Sequence, residues 1–156
     1  MRSLQQLLDE YAGSHTHPGN KLIHWICVPL IVWSVVALLW SLPFPTALQT
    51  GLAPFNWAVV ALVLAQVYYF RLSVQLGTGV FLFNLFLLWL ASMLEMAAPW
   101  PLWLMALVVF VLAWIGQFVG HVLEGKRPSF FKDLQFLLIG PAWLMSFVYR
   151  QLGLRY

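Results

Sequence analysis

Residues 22–42 read LIHWICVPLIVWSVVALLWSL, and this run decides the fold. It has no Asp, Glu, Lys or Arg over 21 positions, and as a helix rising 1.5 Å per residue it would cross roughly 30 Å of hydrocarbon. The rest of the chain matches it. Of 156 residues, 62% are hydrophobic and 8% charged, with nine tryptophans and twelve phenylalanines, whereas an average soluble domain is roughly half apolar and a quarter charged. A soluble domain of about 150 residues still leaves roughly 30% of its unfolded surface in water, more than this composition tolerates. The expectation is therefore all-α, a polytopic membrane helical bundle forming one integral-membrane domain over residues 1–156.

Working outward from that run, Leu4, Leu7, Leu8 and Tyr11 recur at helical spacing, with Gln5, Gln6, Asp9 and Glu10 elsewhere on the wheel and Gly13 as a stop. They predict a short amphipathic helix on the membrane surface. Arg2 is followed by neither a continuous apolar core nor a small-residue cleavage site, so no cleaved signal peptide is expected. Beyond residue 42, Pro43, Pro45, Gly51 and Pro54 mark an uncharged loop. Further spans are predicted from about Phe55 to Phe70, from about Val74 or Val80 to Met96, and from about Leu102 to Val119. With residues 22–42 these make four transmembrane helices. The connector RLSVQLGTG between the second and third is short enough for a helical hairpin. The last apolar segment, residues 134–149, has Gly140-Pro141 at its middle and is marginal as a fifth span; a re-entrant segment is the favoured reading.

The net charge of +3 does not form a nucleic-acid surface, because the cations flank apolar runs. Arg2, Lys21, Arg71, Lys126, Arg127 and Lys132 all fall on one side of a four-span topology, while the opposite loops carry only Glu95. The positive-inside rule makes that side cytoplasmic. A bacterial inner membrane is the expected location, or the endoplasmic reticulum in a eukaryote. Trp25, Trp40, Trp57, Trp100 and Trp103 near span ends read as an aromatic belt. Gln66, Gln75 and Asn84 read as interhelical hydrogen bonders or hairpin residues. Cys27, the only cysteine, allows no intrachain disulfide and reads as a small packing residue.

The same topology places every histidine on one face: His15, His17 and His24 around the start of the first span, His121 at the end of the fourth. Imidazole is the commonest transition-metal ligand and suits iron, zinc and copper. Gln117, His121 and Glu124 stand at i, i+4 and i+7, so they share one helical face. Asn20 and His24 do the same if a helix begins near Pro18, a favoured first-turn residue. Gly116 and Gly120 form a small-xxx-small pair that would admit a close helix. Glu124 could be a ligand or the acceptor that orients a ligating imidazole, or could only pair with Lys126 or Arg127.

Read together, HTHPGNKLIHWICVP (residues 15–29) and GQFVGHVLEGKRP (residues 116–128) resemble the Mpo1-like family, in the spacing H-x-x-x-x-N-x-x-x-H and Q-x-x-G-H-x-x-E-x-x-x-P. The resemblance runs from Tyr11 to the final apolar segment. It implies an Fe(II)-dependent dioxygenase that takes a 2-hydroxy fatty acid and dioxygen and shortens the acid by one carbon. His15, Asn20, His24, Gln117, His121, Glu124 and Pro128 match the motif. On this reading His15, His24 and His121 hold the iron, with His17 as the alternative to His15. Asn20, Gln117 and Glu124 support the imidazoles, and Lys21, Lys126 or Arg127 attracts the substrate carboxylate.

Two other classes compete. His24 and His121 could be axial ligands of a b-type haem, or the histidines could be headgroup contacts of a non-catalytic lipid-binding protein. A membrane diiron hydroxylase or desaturase would need about eight histidines, and four are too few.

Overall fold

The computed structural model describes residues 3–13, 15–45, 55–125 and 136–156, and among these the protein is all helical. The order is α1 (Leu4–Ala12), α2 (Pro18–Trp40), α3 (Trp57–Leu72), α4 (Val74–Ala97), α5 (Leu102–Leu123), a 3₁₀ turn (Phe136–Leu138) and α6 (Ile139–Gln151). Helices α2, α4 and α5 are each long and apolar enough to cross a membrane, and α3 is a shorter apolar helix of 16 residues. Leu64, Leu82 and Leu112 are 68%, 62% and 62% exposed. Such a surface is costly in water and suits lipid, which marks a membrane protein.

The helix ends follow from local chemistry. Ser3 and Gln6 form a reciprocal capping box at α1. Pro18 occupies the first turn of α2, where its missing N–H removes no helical bond. The nine-residue connector predicted between the second and third spans contracts to Ser73, whose N–H bonds to the Tyr69 carbonyl and whose Oγ accepts from Leu76 N. Gly77 and Gly79 lie inside α4 and pack tightly: a Cβ would come within 2.7 Å of the Phe70 ring at Gly77 and within 2.8 Å of Met145 Sδ at Gly79. Gly140-Pro141 does not interrupt the last segment but lies in the first turn of α6, where a proline is tolerated. At 13 residues, or ~20 Å of rise, α6 is shorter than the roughly 30 Å hydrocarbon core.

Helices α2 and α5 pack antiparallel through the predicted small pair. Gly116 receives Cys27, with a Cβ there only 2.6 Å from Sγ, and Gly120 receives the buried Asn20 side chain even more closely. Gly120→Ala is therefore expected to push α2 off α5 and lower stability by about 1–3 kcal/mol. Denaturant unfolding in micelles checks this, and an unchanged midpoint would refute the close-packing account.

Three apolar clusters fill the bundle. One joins α1, α2, α3, α4 and α6 around Tyr11, Val28, Tyr69, Val80 and Trp143. A second lies toward the other end around Trp33, Ala37, Leu87, Ala91 and Ala106. Cys27, Ile31, Ala113 and Trp114 form the third, between α2 and α5. The polar group lies where α1, α2, α5 and α6 meet.

Candidate metal centre

His24 lies in the second turn of α2, buried at 2% exposure, and its Nδ1 is 3.0 Å from the carbonyl of Asn20. His15 follows the end of α1, and its Nδ1 is 2.7 Å from the carbonyl of Tyr11. A carbonyl has no proton to give, so each neutral ring donates from Nδ1 and presents Nε2 as its basic nitrogen. His121 comes from the last turn of α5 and is also buried. Its ring centroid is 5.2 Å from that of His24 and 5.8 Å from that of His15, and the His15–His24 pair is at 4.1 Å.

One nitrogen from each of His15, His24 and His121 lies within 4.8 Å of the others. Three nitrogens about 2.1 Å from one ion stand roughly 3–3.6 Å apart, so side-chain adjustments of about an ångström draw the set onto one ion. Three neutral nitrogen donors suit a divalent first-row metal and leave positions open. The donor set therefore fits Fe(II). It does not fit a haem between His24 and His121, because His15 stands within reach of both and the adjoining cavity holds ≈ 20 Å³.

Aromatic side chains wall the centre. Tyr11 stacks on His15 at 4.3 Å and 15°, and Trp143 closes the side at 5.5 Å. The small cavity beside His24 is lined by Tyr11, Val28, Trp114, Gln117 and Leu137, among others.

The loop carrying His15 is held from across the bundle. Glu124, the residue that ends α5, accepts from Thr16 N at 2.8 Å, from Thr16 Oγ1, from His17 N at 2.9 Å and from Asn20 Nδ2 at 2.9 Å. One carboxylate thus fixes the loop after His15 and the first turn of α2 to the end of the helix that bears His121. Partial burial pushes its carboxyl up, but hydrogen bonds from the Thr16 hydroxyl, the Asn20 amide and the His17 and Thr16 backbones outweigh that and hold it well below the usual carboxylate range.

A carboxyl depressed in the folded state contributes stability above its unfolded value, lost as pH falls toward the folded one. The stability difference between wild type and Glu124→Gln is expected to be constant from neutrality to about pH 5 and to shrink below about pH 4.3. Unfolding both proteins across this range checks it; a gap that widens in acid has the wrong sign.

The structure separates the two candidates that the sequence leaves open. His15 joins the cluster, whereas His17 is exposed and caps α2, its Nδ1 accepting from Gly19 N at 3.1 Å. Asn20 and Gln117 are buried next to the cluster, Asn20 supplying the carbonyl for His24 and Gln117 lining the cavity. Lys21 is half-buried on α2; Lys126, Arg127 and Pro128 lie outside the described residues. Sequence reasoning missed Thr16, Trp143 and Leu137 and took Tyr11 only as the apolar face of α1. A hydroxyl beside His15 and an aromatic four residues before it were the available signals.

The profile of the family described as 2-hydroxy-palmitic acid dioxygenase Mpo1-like matches residues 1–152. The 2-hydroxy-palmitic acid dioxygenase MPO1 of Saccharomyces cerevisiae is 31% identical over 146 residues, covering 91% of this chain and 77% of the yeast protein. No solved structure matches. A profile match over nearly the whole chain, together with a relative at this identity and coverage, means that the chain belongs to the Mpo1-like family.

Proposed function

We propose that this protein is an Fe(II)-dependent dioxygenase that shortens 2-hydroxy fatty acids by one carbon. The observation that carries the reading is the convergence of three buried imidazoles from three separate elements. The activity in the yeast relative's name supplies the substrate class. The overall reaction balances without a further reductant: R–CH(OH)–COOH and dioxygen give R–COOH, carbon dioxide and water. The C1–C2 bond breaks, and the four electrons lost by the two carbons reduce one dioxygen. Bound Fe(II) would supply the site at which dioxygen is activated.

The chain's own residues provide the setting. The carbonyls of Tyr11 and Asn20 keep two imidazoles in the ligating tautomer. Glu124 acts through the loop it holds, and Gln117 presents a polar group to the cavity beside His24. Lys21, with Lys126 and Arg127, attracts the substrate carboxylate at the headgroups.

In this reading α2, α3, α4 and α5 all cross, with the start of α2 and the end of α5 on the cytoplasmic face. Helix α3 rises only ~24 Å, and Arg71 in its last turn reaches the interface by snorkelling. The membrane is the inner membrane in a bacterium and the endoplasmic reticulum in a eukaryote.

Anaerobic purification with metal analysis, then addition of 2-hydroxypalmitate and oxygen, tests the proposal. The expected outcome is bound iron and one pentadecanoate per acid consumed. Bound iron with no shortened acid would reject the substrate; protein without metal after Fe(II) loading would reject the centre.

A further inference from the structure

The small cavity beside His24 adjoins a longer apolar groove at Leu137, which lines both. The groove holds ≈ 130 Å³ and runs between α2, α3 and α4, with Val32, Leu39, Ala58, Ala61, Ala65 and Asn84 on its walls. Its mouth is fixed at the metal-centre end by Tyr69, whose hydroxyl donates to the Leu138 carbonyl at 2.7 Å and pins the 3₁₀ turn carrying Leu137 onto α3.

We infer that this groove holds the acyl chain of the substrate and sets the chain length accepted. The inference rests on the proposed 2-hydroxy acid activity. Adjacency is the first argument: the two spaces meet at Leu137, so a chain attached to a carboxyl and hydroxyl group at the histidines enters the groove once that side chain turns aside. Depth is the second. From Tyr69 to Ala58, 11 positions along α3, the groove runs ~16 Å, and an acyl chain filling one leaflet spans ~15 Å, half of the hydrocarbon core. The third is the α3 wall, where Ala58, Ala61 and Ala65 stand beside Leu62, small positions at which a larger side chain would fill the groove.

The alanines form a ruler. Ala65 is nearest the mouth, Ala61 one turn deeper and Ala58 at the far end. A leucine at Ala65 would stop the chain earlier than one at Ala61. Each excludes several methylenes, so affinity for long acids falls about a hundredfold while short acids are untouched.

The test measures equilibrium binding of 2-hydroxyoctanoate, 2-hydroxylaurate, 2-hydroxypalmitate and 2-hydroxystearate to wild type, Ala65→Leu and Ala61→Leu. The proteins are loaded with unreactive Zn(II), and turnover is measured in parallel with Fe(II). Support is a loss confined to long acids, with the cut-off at a longer chain for Ala61→Leu than for Ala65→Leu. The same length profile in all three proteins would overturn the groove assignment and place the chain in surrounding lipid, even if turnover is normal. A stepped binding profile without turnover of any acid would leave the groove standing and overturn the dioxygenase reading alone.

Discussion

His15→Ala, His24→Ala and His121→Ala are each expected to abolish iron retention and turnover, while His17→Ala keeps both. Removing a group that only supports a metal ligand typically costs about 10–100-fold in affinity or activity; removing one of three ligands should cost more than about a hundredfold. The contrast with His17 makes this informative. Both His15 and His17 precede α2, yet only His15 is buried beside His24 and His121, while His17 is exposed and bonded to Gly19 N. Metal analysis of the four variants, normalised to folded protein, reads the result. Loss in His17→Ala with retention in His15→Ala would show that the loop binds metal in the opposite register.

Glu124→Ala is expected to have the next largest effect, about 10–100-fold on iron affinity, without removing a ligand. Its carboxylate accepts from Thr16, His17 and Asn20. Its loss would remove the acceptor these donors share and release the loop that positions His15. Glu124→Gln retains an acceptor oxygen and should fall between the wild type and Glu124→Ala. A ligating role would give a different pattern: both variants would fail alike, and the spectroscopic signature of the bound metal would change. Iron titration monitored by absorption of a nitrosyl adduct separates the two, since a positioning role weakens binding but leaves the saturated spectrum unaltered.

Much of this arrangement was legible in the sequence because of the lengths involved. An uncharged run such as residues 22–42 has few alternatives to a spanning helix. Helical spacing then places Asn20 with His24 and Gln117 with His121. Two features were not legible. The start of α4 was obscured by Gly77 and Gly79, which look like breakers until Phe70, Met145 and Tyr149 are seen packed against them. The role of Glu124 depends on contacts with residues more than 100 positions away, which no local periodicity reveals. Likewise, Gly140-Pro141 looked like the middle of a segment because the hydropathy begins before the helix does; only the observed helix start places the pair in a first turn.

In the proposed centre, His15, His24 and His121 together hold one iron. X-ray absorption at the iron edge of the anaerobically loaded protein tests it most directly, because outer-shell scattering counts imidazole rings. Three imidazoles per iron in the wild type and in His17→Ala, with two in whatever iron His15→Ala still binds, is the predicted result. A wild-type spectrum lacking imidazole scattering, or one unchanged by His15→Ala, would contradict the account.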